Sequence, residues 1–544
     1  MKTKPLVYLL ALSSLIFAML LPPEAYPNGK MAVILCATFA FLIALSERKI
    51  AHSYLRIGAW IFGLLVLHTM VVSIDLYRSL DTLTTLWAYY CLIGFFAYSS
   101  AGLEKYLAGT IVGLALIVSG YGLYQYFWGF DQIYQYIFYS GSDQVLRVPA
   151  LQRIATKRVF STLALPGTLW GFLVCALPFH AMLWKKHRVL DGVLILSAIL
   201  VLTAGFLTRS FGFLLGLFVL ALTATWLRHR KVLWNRVTPV VLLVLIIAGA
   251  GFYSARRGVI EGQNPAGLRF LNWVSAWNIF AVHPMGTGLN TFGVAYPEYM
   301  QPFANETQFV HNTPLQLLSE LGWPLIAAVI ISIALKAGRL RRSALAENQR
   351  FWLMLALAVW ITHNLVDINV YFASVGVMGA VIIGALLARE QREFPRYSPL
   401  SLGLAGTFGV VVMVFAGLAF VSSELQHRAQ IEFDNKKFLV AADTLAMARK
   451  ICPINSSLHH DAGELLLNIY HQTRDRKYLT EATESFRTAI ALSPKKSGSH
   501  IGYGLCLSTA NQMPEALEQI RIAQQLFPSS AYAQSIHQLM LRER

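Results

Sequence analysis

The stretches VLILSAILVLTAGFL (193–207) and VVLLVLIIAGAGF (240–252) decide the fold class. Each is apolar at every helical position, so neither has a polar face to turn toward water. Helices of that kind belong in lipid or in a very large core. Similar runs recur along the chain. Requiring roughly 17–25 mostly apolar residues per span places spans at 6–22, 30–46, 57–74, 82–99, 106–127, 164–184, 190–207, 211–227, 238–254, 315–335, 351–366, 371–388 and 400–421. The 351–366 run is short and interrupted by polar residues, so the expectation is an all-α, polytopic transmembrane helical bundle of about 12–13 spans. Composition agrees: 13% of the 544 residues are charged, about half the usual share in a soluble domain, and the mean hydropathy is +0.52. Lys2 and Lys4 precede the first run as in a signal peptide. The LLPPEAYPNG that ends it offers no convincing small-residue cleavage site, so it reads as a retained helix.

The net charge of +17 first suggests an anionic partner such as nucleic acid. Its distribution argues otherwise. With a cytoplasmic N-terminus and alternating sides, the inside loops collect Lys185, Lys186 and Arg188; Arg228, Arg230, Lys231 and Arg236; Lys336, Arg339, Arg341, Arg342 and Arg350; and Arg389, Arg392 and Arg396. Outside segments before residue 422 are nearly balanced in sign. This is the positive-inside pattern. The basic excess is therefore topological, and no nucleic-acid binding is expected.

Three parts follow. Residues 1–421 form a membrane body, with long outer loops at 128–163 and 255–313; loops of that length are uncommon unless functional. Residues 422–544 are polar and helical, and the alternation places them outside the membrane, in the periplasm if the envelope is Gram-negative. There EATESFRTAIALSP (481–494) resembles EALEQIRIAQQLFP (515–528), with Pro494 and Pro528 34 residues apart, and VAADTLAMARKICP (440–453) is a looser copy. Helix pairs of this period ending in Pro predict a tetratricopeptide-like (TPR-like) tail, a surface suited to a protein or peptide partner. A generic helical hairpin is the other reading. The five cysteines show no metal-ligand spacing; Cys452 and Cys506 both lie outside and can pair, although nothing demands it.

The segment ETQFVHNTPLQLLSELGWPL (306–325) carries the candidate chemistry. Thr313 can cap a helix and Pro314 can occupy its first turn. His311 then stands just before a helix N-terminus at the outer interface. A neutral imidazole there can accept a proton, as a general base must; on position alone an anchoring role fits as well.

The run from His311 to Gly322, HN-x-x-L-Q-L-L-x-E-x-G, resembles a motif of the O-antigen ligase family, which includes lipid A-core:O-antigen ligases, polysaccharide polymerases and protein O-oligosaccharyltransferases. Three further stretches resemble it in order: RVFSTLALPGTLWGFLV (158–174), with Gly167 where the family usually has Asn; LTRSFGFLLGL (207–217); and GLRFLNWVSAWNIFAVHPMGTGLNTF (267–292). The likeness covers roughly 150–390. It implies a GT-C-like membrane glycosyltransferase, without metal or cofactor, that inverts the anomeric carbon. The donor would be a glycan on undecaprenyl diphosphate, and the acceptor a hydroxyl on lipid A-core, a growing polysaccharide or a protein. His311 would be the base.

A departing diphosphate needs neutralisation, and the arginine fork matches phosphate oxygens. Arg158, Arg209 and Arg269 fall on the outer face and are the expected donor ligands, and Glu320 can pair with one of them. Each has a plainer alternative. Arg209, in a very short turn, can simply snorkel to the interface. Arg269 can sit in a structural ion pair. Any one of Arg153, Lys157 and Arg158 can be the phosphate contact. Arg256 and Arg257 read as anchors, and His68 and His180 as structural. His363, Asn364 and Asp367 interrupt a span and are candidates by default, although a hydrogen-bonded helix contact serves equally. Two other classes compete: a transporter or flippase, which would need a polar midplane pathway, and an inert anchor for a peptide-binding tail. The absence of aspartate from 255–313 disfavours a peptidoglycan polymerase of the rod-shape family.

Overall fold

The structure is a computed structural model that describes residues 5–23, 25–99, 104–139, 154, 156–184, 187–210, 212–228, 265–337, 345–388, 395, 397 and 399–542. Among these residues it is entirely helical, with no strand. The helices are α1 (Pro5–Leu20), α2 (Pro27–Ser46), α3 (His52–Val72), α4 (Leu76–Ser99), α5 (Glu104–Tyr124), α6 (Phe130–Tyr139), α7 (Pro166–Leu183), α8 (Arg188–Leu207), α9 (Gly212–Arg228), α10 (Pro265–Val282), α11 (Phe292–Tyr299), α12 (Thr313–Ala337), α13 (Glu347–His363), α14 (Ala373–Leu386), α15 (Pro399–Asp434), α16 (Phe438–Ile451), α17 (Ser456–Thr473), α18 (Arg476–Leu492), α19 (Ser497–Thr509), α20 (Met513–Leu526) and α21 (Ala531–Arg542). Eight helices among the described residues are long and apolar enough to cross a membrane. The chain is thus a polytopic helical bundle. The expected span at 238–254, Arg153, Arg256 and Arg257 lie outside the described residues.

The chain forms two compact units. The first comprises Met1–Ile57, Trp87–Asn264 and Ile333–Gly406; the second comprises Gly58–Leu86, Pro265–Ser332 and Thr407–Arg544. In the first, α7 is almost wholly buried, as expected of a central helix whose every face is apolar. Small residues let its neighbours approach. A side chain at Gly205 or Gly216 would meet the Trp170 ring, and the Trp170 indole donates to the Gly212 carbonyl at 2.8 Å.

Several expected boundaries move for identifiable reasons. The segments expected as outer loops contain helix where described, at 130–139, 265–282 and 292–299. A π-helical turn, Gln125–Gly129, joins α5 to α6. The span expected at 315–335 is broken: Gly322 has φ +69 and ψ 171, so α12 is two helices meeting at a kink. α15 runs without interruption past residue 421 into the tail.

In the tail, a three-fold pattern underlies the repeat. Twelve, eight and five residues before Pro453, Pro494 and Pro528 stand Ala441, Ala482 and Ala516; Leu445, Phe486 and Ile520; and Ala448, Ala489 and Ala523, all buried. Six residues after each proline a side chain bonds its carbonyl: His459 Nε2, His500 Nε2 and Gln534 Nε2, each at 3.0 Å. Phe486 needs the space left by Gly463 and Gly502, where any side chain would strike its ring. Cys452 and Cys506 are both free thiols in this packing, and burial pushes the Cys506 thiol up to about 12.

Candidate active site

In the second unit, α12 begins at Thr313, and its cap is Asn312 rather than the expected Thr313. Asn312 Oδ1 accepts the Leu315 amide at 2.9 Å, and its carbonyl accepts Gln316 N at 3.0 Å. Pro314 falls in the first turn as expected. His311 precedes the cap, half-buried, with φ +56. A non-glycine residue in the left-handed region costs about 1–3 kcal/mol and persists only where its surroundings hold it there. They do so on both sides: Asn312 is fixed by capping, and the buried Val310 donates its amide to Gln316 Oε1 at 3.1 Å.

One helical turn further on, Gln316 Nε2 donates to Glu320 Oε1 at 3.2 Å. Glu320 is fully buried and its carboxylate grips backbone: Oε2 accepts Asn290 N at 2.7 Å and Oε1 accepts Phe292 N at 3.1 Å. Its carbonyl accepts Thr287 N at 3.1 Å and Gly288 N at 2.9 Å. The glycines of Pro284-Met-Gly-Thr-Gly are there for this contact. Gly286 and Gly288 have φ of +87 and +103, and a side chain on Gly286 would lie 2.2 Å from the Glu320 carbonyl oxygen. The Gly322 kink completes the joint, with Trp323 N donating to the Pro284 carbonyl at 3.2 Å. Glu320 thus bonds the backbone of the 284–292 loop. His68 Nε2 donates to the Met285 carbonyl at 2.8 Å.

Arg269 lies half-buried in the first turns of α10. One turn along, Asn272 Oδ1 is 2.7 Å from the Tyr296 hydroxyl, which also lies 2.9 Å from the Asn305 carbonyl. Ala276, Ile279, Phe292, Ala295, Tyr296 and Val310 pack into one core. The helix that carries Arg269 and the segment that carries His311 therefore share a core.

In the first unit, Arg158 and Arg209 come together. Arg158 Nε donates to the Thr208 carbonyl at 3.2 Å, Arg209 Nη1 donates to the Thr156 carbonyl at 3.1 Å, and Val159 N donates to the Leu207 carbonyl at 3.1 Å. Each guanidinium thus bonds backbone beside the other arginine. Arg209 has φ +46, Lys157 +44 and Ser161 +57. The π turn contributes to this geometry: Gln125 Oε1 accepts Phe160 N at 3.1 Å and Ser161 N at 2.9 Å. Lys157 is exposed, whereas Arg158 and Arg209 are half-buried.

The polar residues that interrupt the span after α13 are buried in the same unit. His363 Nδ1 and Asn369 Nδ2 lie 2.9 Å apart. A side chain at Gly167 would stand 2.4 Å from Asp367 Oδ2, and one at Gly212 2.8 Å from His363 Nε2. Gly167, where the resembled motif has Asn, is therefore the space Asp367 occupies. His180 bonds Ser197 Oγ at 3.0 Å. Sequence reasoning missed Asn312, Gln316 and Gln125. The first two stood inside the quoted motif, four residues before Gln316 and Glu320 respectively, the helical spacing at which side chains meet.

Among the described residues, the grouping closest to a metal-ligand set is His460, Asp461 and Glu464 in the tail, away from these segments in sequence. His460 Nδ1 is 3.2 Å from Ser499 Oγ, and Asp461 Oδ2 accepts Gln426 Nε2 at 2.6 Å.

Residues 196–330 match the family model described as O-antigen ligase. The matched region contains Arg209, Arg269, His311 and Glu320, and leaves out Arg158 and the tail. A search of curated proteins finds no match. The matched region is thus similar to the O-antigen ligase family and supports a membrane glycosyltransferase of the ligase and polymerase kind, acting on lipid-linked glycan and acceptor substrates.

Proposed function

We propose that the chain transfers a glycan from undecaprenyl diphosphate to an acceptor hydroxyl on the periplasmic face of the inner membrane. The observation that carries this reading is the strained, doubly held His311 inside the region similar to O-antigen ligases. In the proposed step the His311 imidazole takes the acceptor hydroxyl proton. The acceptor oxygen bonds to the anomeric carbon, and the bond from that carbon to the diphosphate oxygen breaks, its electron pair leaving with the lipid diphosphate. Direct attack inverts the centre. Arg209, Arg158 and Arg269 stabilise the leaving charge. A guanidinium carries five N–H donors, so the one carbonyl bond of Arg209 leaves capacity for phosphate.

Ligation to lipid A-core is the first reading. A protein acceptor or partner is favoured by one specific observation, the three-fold Ala, Leu/Phe/Ile, Ala and Pro pattern of residues 422–544, which fits a TPR-like tail. We keep 1–421 as the membrane body, with the N-terminus cytoplasmic and the tail periplasmic.

The test is a deletion strain probed for capped lipopolysaccharide, polymer length and glycosylated protein, complemented with His311→Ala or Arg209→Ala. Both variants are expected to insert normally and to make no product. Wild-type product from either would remove that residue from its role, and flux of substrate into vesicles independent of His311 would favour a transporter.

A further inference from the structure

The tail does more in this fold than extend from the last span. Within the second unit it is bonded to the segments that brace His311. Ser456, at the start of α17, donates to Asp75 Oδ2 at 2.6 Å, and both residues are buried. Asp75 Oδ1 in turn accepts Arg78 N at 3.2 Å and so caps α4. The capped turn is fastened to the 284–292 loop. Ile74 N donates to the Thr287 carbonyl at 3.0 Å, Ser79 Oγ donates to the Leu289 carbonyl at 2.8 Å, and Gly288 sits so close to Ser73 that a side chain would lie 2.6 Å from its hydroxyl. Thr287 and Gly288 are the residues whose amides the Glu320 carbonyl accepts. A continuous path of bonds therefore runs from Ser456 through Asp75 and the 287–289 backbone to α12.

A second tie lies further along. Lys495 Nζ, just before α19, is 2.7 Å from Glu298 Oε2 on α11. Ser529 Oγ contacts Met300 Sδ at 4.0 Å. Arg78 Nη1 donates to Gln308 Oε1 at 3.3 Å, three residues before His311. Desolvation, offset by Asp461 and Asp75 and reinforced by Arg78, lowers the Lys496 ammonium from its ordinary value, as expected where polar groups are enclosed rather than hydrated. The tail ties come from three places: Lys495 and Ser529 reach Glu298 and Met300 directly, and Ser456 reaches 284–312 through Asp75.

We propose that Ser456 and Lys495 are positioning residues for the His311 segment, the tail acting as a clamp that holds 284–312 in its working geometry through Asp75 and Glu298. The proposal rests on the reading of His311 as the base. It assigns the tail a part in the transfer itself, beyond any recruitment of a partner.

The experiment uses the full chain in nanodiscs, with hydrogen exchange read on peptides covering 284–312 and on the tail. Ser456→Ala should raise opening of 284–292 by about tenfold, the order expected on losing a hydrogen bond to a carboxylate, with Ser456→Thr retaining protection. Lys495→Glu and Glu298→Lys should each raise opening of 298–312 by a few-fold, the scale of a partly exposed ion pair. The double exchange should recover it. Tail peptides from 462–526 should keep their protection in all of these variants, and product turnover should fall with little change in the donor concentration at half-maximal rate. Unchanged protection of 284–312 in Ser456→Ala and Lys495→Glu, or a loss that the double exchange does not recover, overturns the clamp. Hydrogen exchange needs no substrate. A failure of the clamp is therefore read in a different assay from a failure of the base, which would show as wild-type product from His311→Ala.

Discussion

Replacing Glu320 by alanine separates bracing from substrate contact. The carboxylate accepts the amides of Asn290 and Phe292 together with Gln316 Nε2, inside a site from which water is excluded. Glu320→Ala leaves the buried Phe292 amide and the half-buried Asn290 amide without that acceptor. At ~1–3 kcal/mol for each unsatisfied group, the loop should lose roughly 2–6 kcal/mol of local stability. Glu320→Gln keeps the shape and one acceptor oxygen but turns an NH2 group toward one of the donors, so its cost should be about half as large. Hydrogen exchange on 286–293 measures the loss directly, and the thermal midpoint in detergent should fall with it. Product should fall in the same order, wild type above Gln above Ala, because the Gln316 bond to Val310 N loses its support. The reasoning is refuted if Glu320→Ala keeps wild-type protection over 286–293 while product disappears, for then the carboxylate acts on substrate and not on backbone.

Gly322→Ala should lower the thermal midpoint and open 284–292, since a side chain at φ +69 would lie 2.4 Å from the Pro284 carbonyl oxygen; an unchanged midpoint would mean the kink is not needed. His311→Gly should be at least as stable as His311→Ala, because glycine meets no penalty at φ +56, and both should be inactive; a glycine variant less stable than alanine would contradict the strain assigned there. Burial lowers the His459 imidazole, with Arg449 acting in the same direction and the Pro453 carbonyl against it. The unfolded chain then binds the extra proton first as pH falls below about 6.5, so the tail should be most stable above that value and lose stability as pH drops toward the folded value. His459→Gln, which can bond Pro453 as Gln534 bonds Pro528, should flatten that dependence in thermal melts between pH 7.5 and 5.5; an unaltered slope would clear His459 of it.

Fold class was readable because lipid-facing helices must be apolar all round, a property of composition that survives any error in boundaries. The breaks were not readable on the same terms. Gly322 stands in an apolar run where glycine is ordinary in membrane helices, and its need for φ +69 arises only because Pro284 and Met285, nearly forty residues earlier, press against it. The cap shifted by one residue for a comparable reason. Asn312 and Thr313 are both good caps in isolation, and the bond from Val310 N to Gln316 decides where the helix begins. Glu320 looked like an arginine partner because a carboxylate in a span suggests a charge to neutralise. Its bonds to backbone amides of a distant Gly-rich loop depend on contacts that spacing along the chain does not reveal. The pairing of Arg158 with the Arg209 turn was hidden likewise, since it depends on a π turn placing Gln125 against 160–161.

Left-handed backbone recurs at the candidate residues of each unit. Lys157, Ser161 and Arg209 in one unit and Asn290 and His311 in the other all adopt left-handed backbone that glycine would occupy at less cost. At about 1–3 kcal/mol each, selection for stability alone would replace them. Each is held by more than one bond from its surroundings or lies beside one that is: Gln125 on 160–161, the reciprocal carbonyl bonds of Arg158 and Arg209, Glu320 on Asn290, and Asn312 with Gln316 around His311. Left-handed backbone alone does not mark function, since Arg48, Lys436 and Arg474 adopt it at other turns; what distinguishes His311 and Arg209 is the bonding of the segments around them. A transferase must present imidazole and guanidinium groups in fixed directions before the substrate arrives, because reorganising them during the reaction would cancel the electrostatic gain. On that ground we assign Arg209 and His311, in the proposed function, to the chemistry, Gln316 and Glu320 to the bonds around the His311 segment, and Gln125 to the bonds on the segment just after Arg158, the partner of the Arg209 turn.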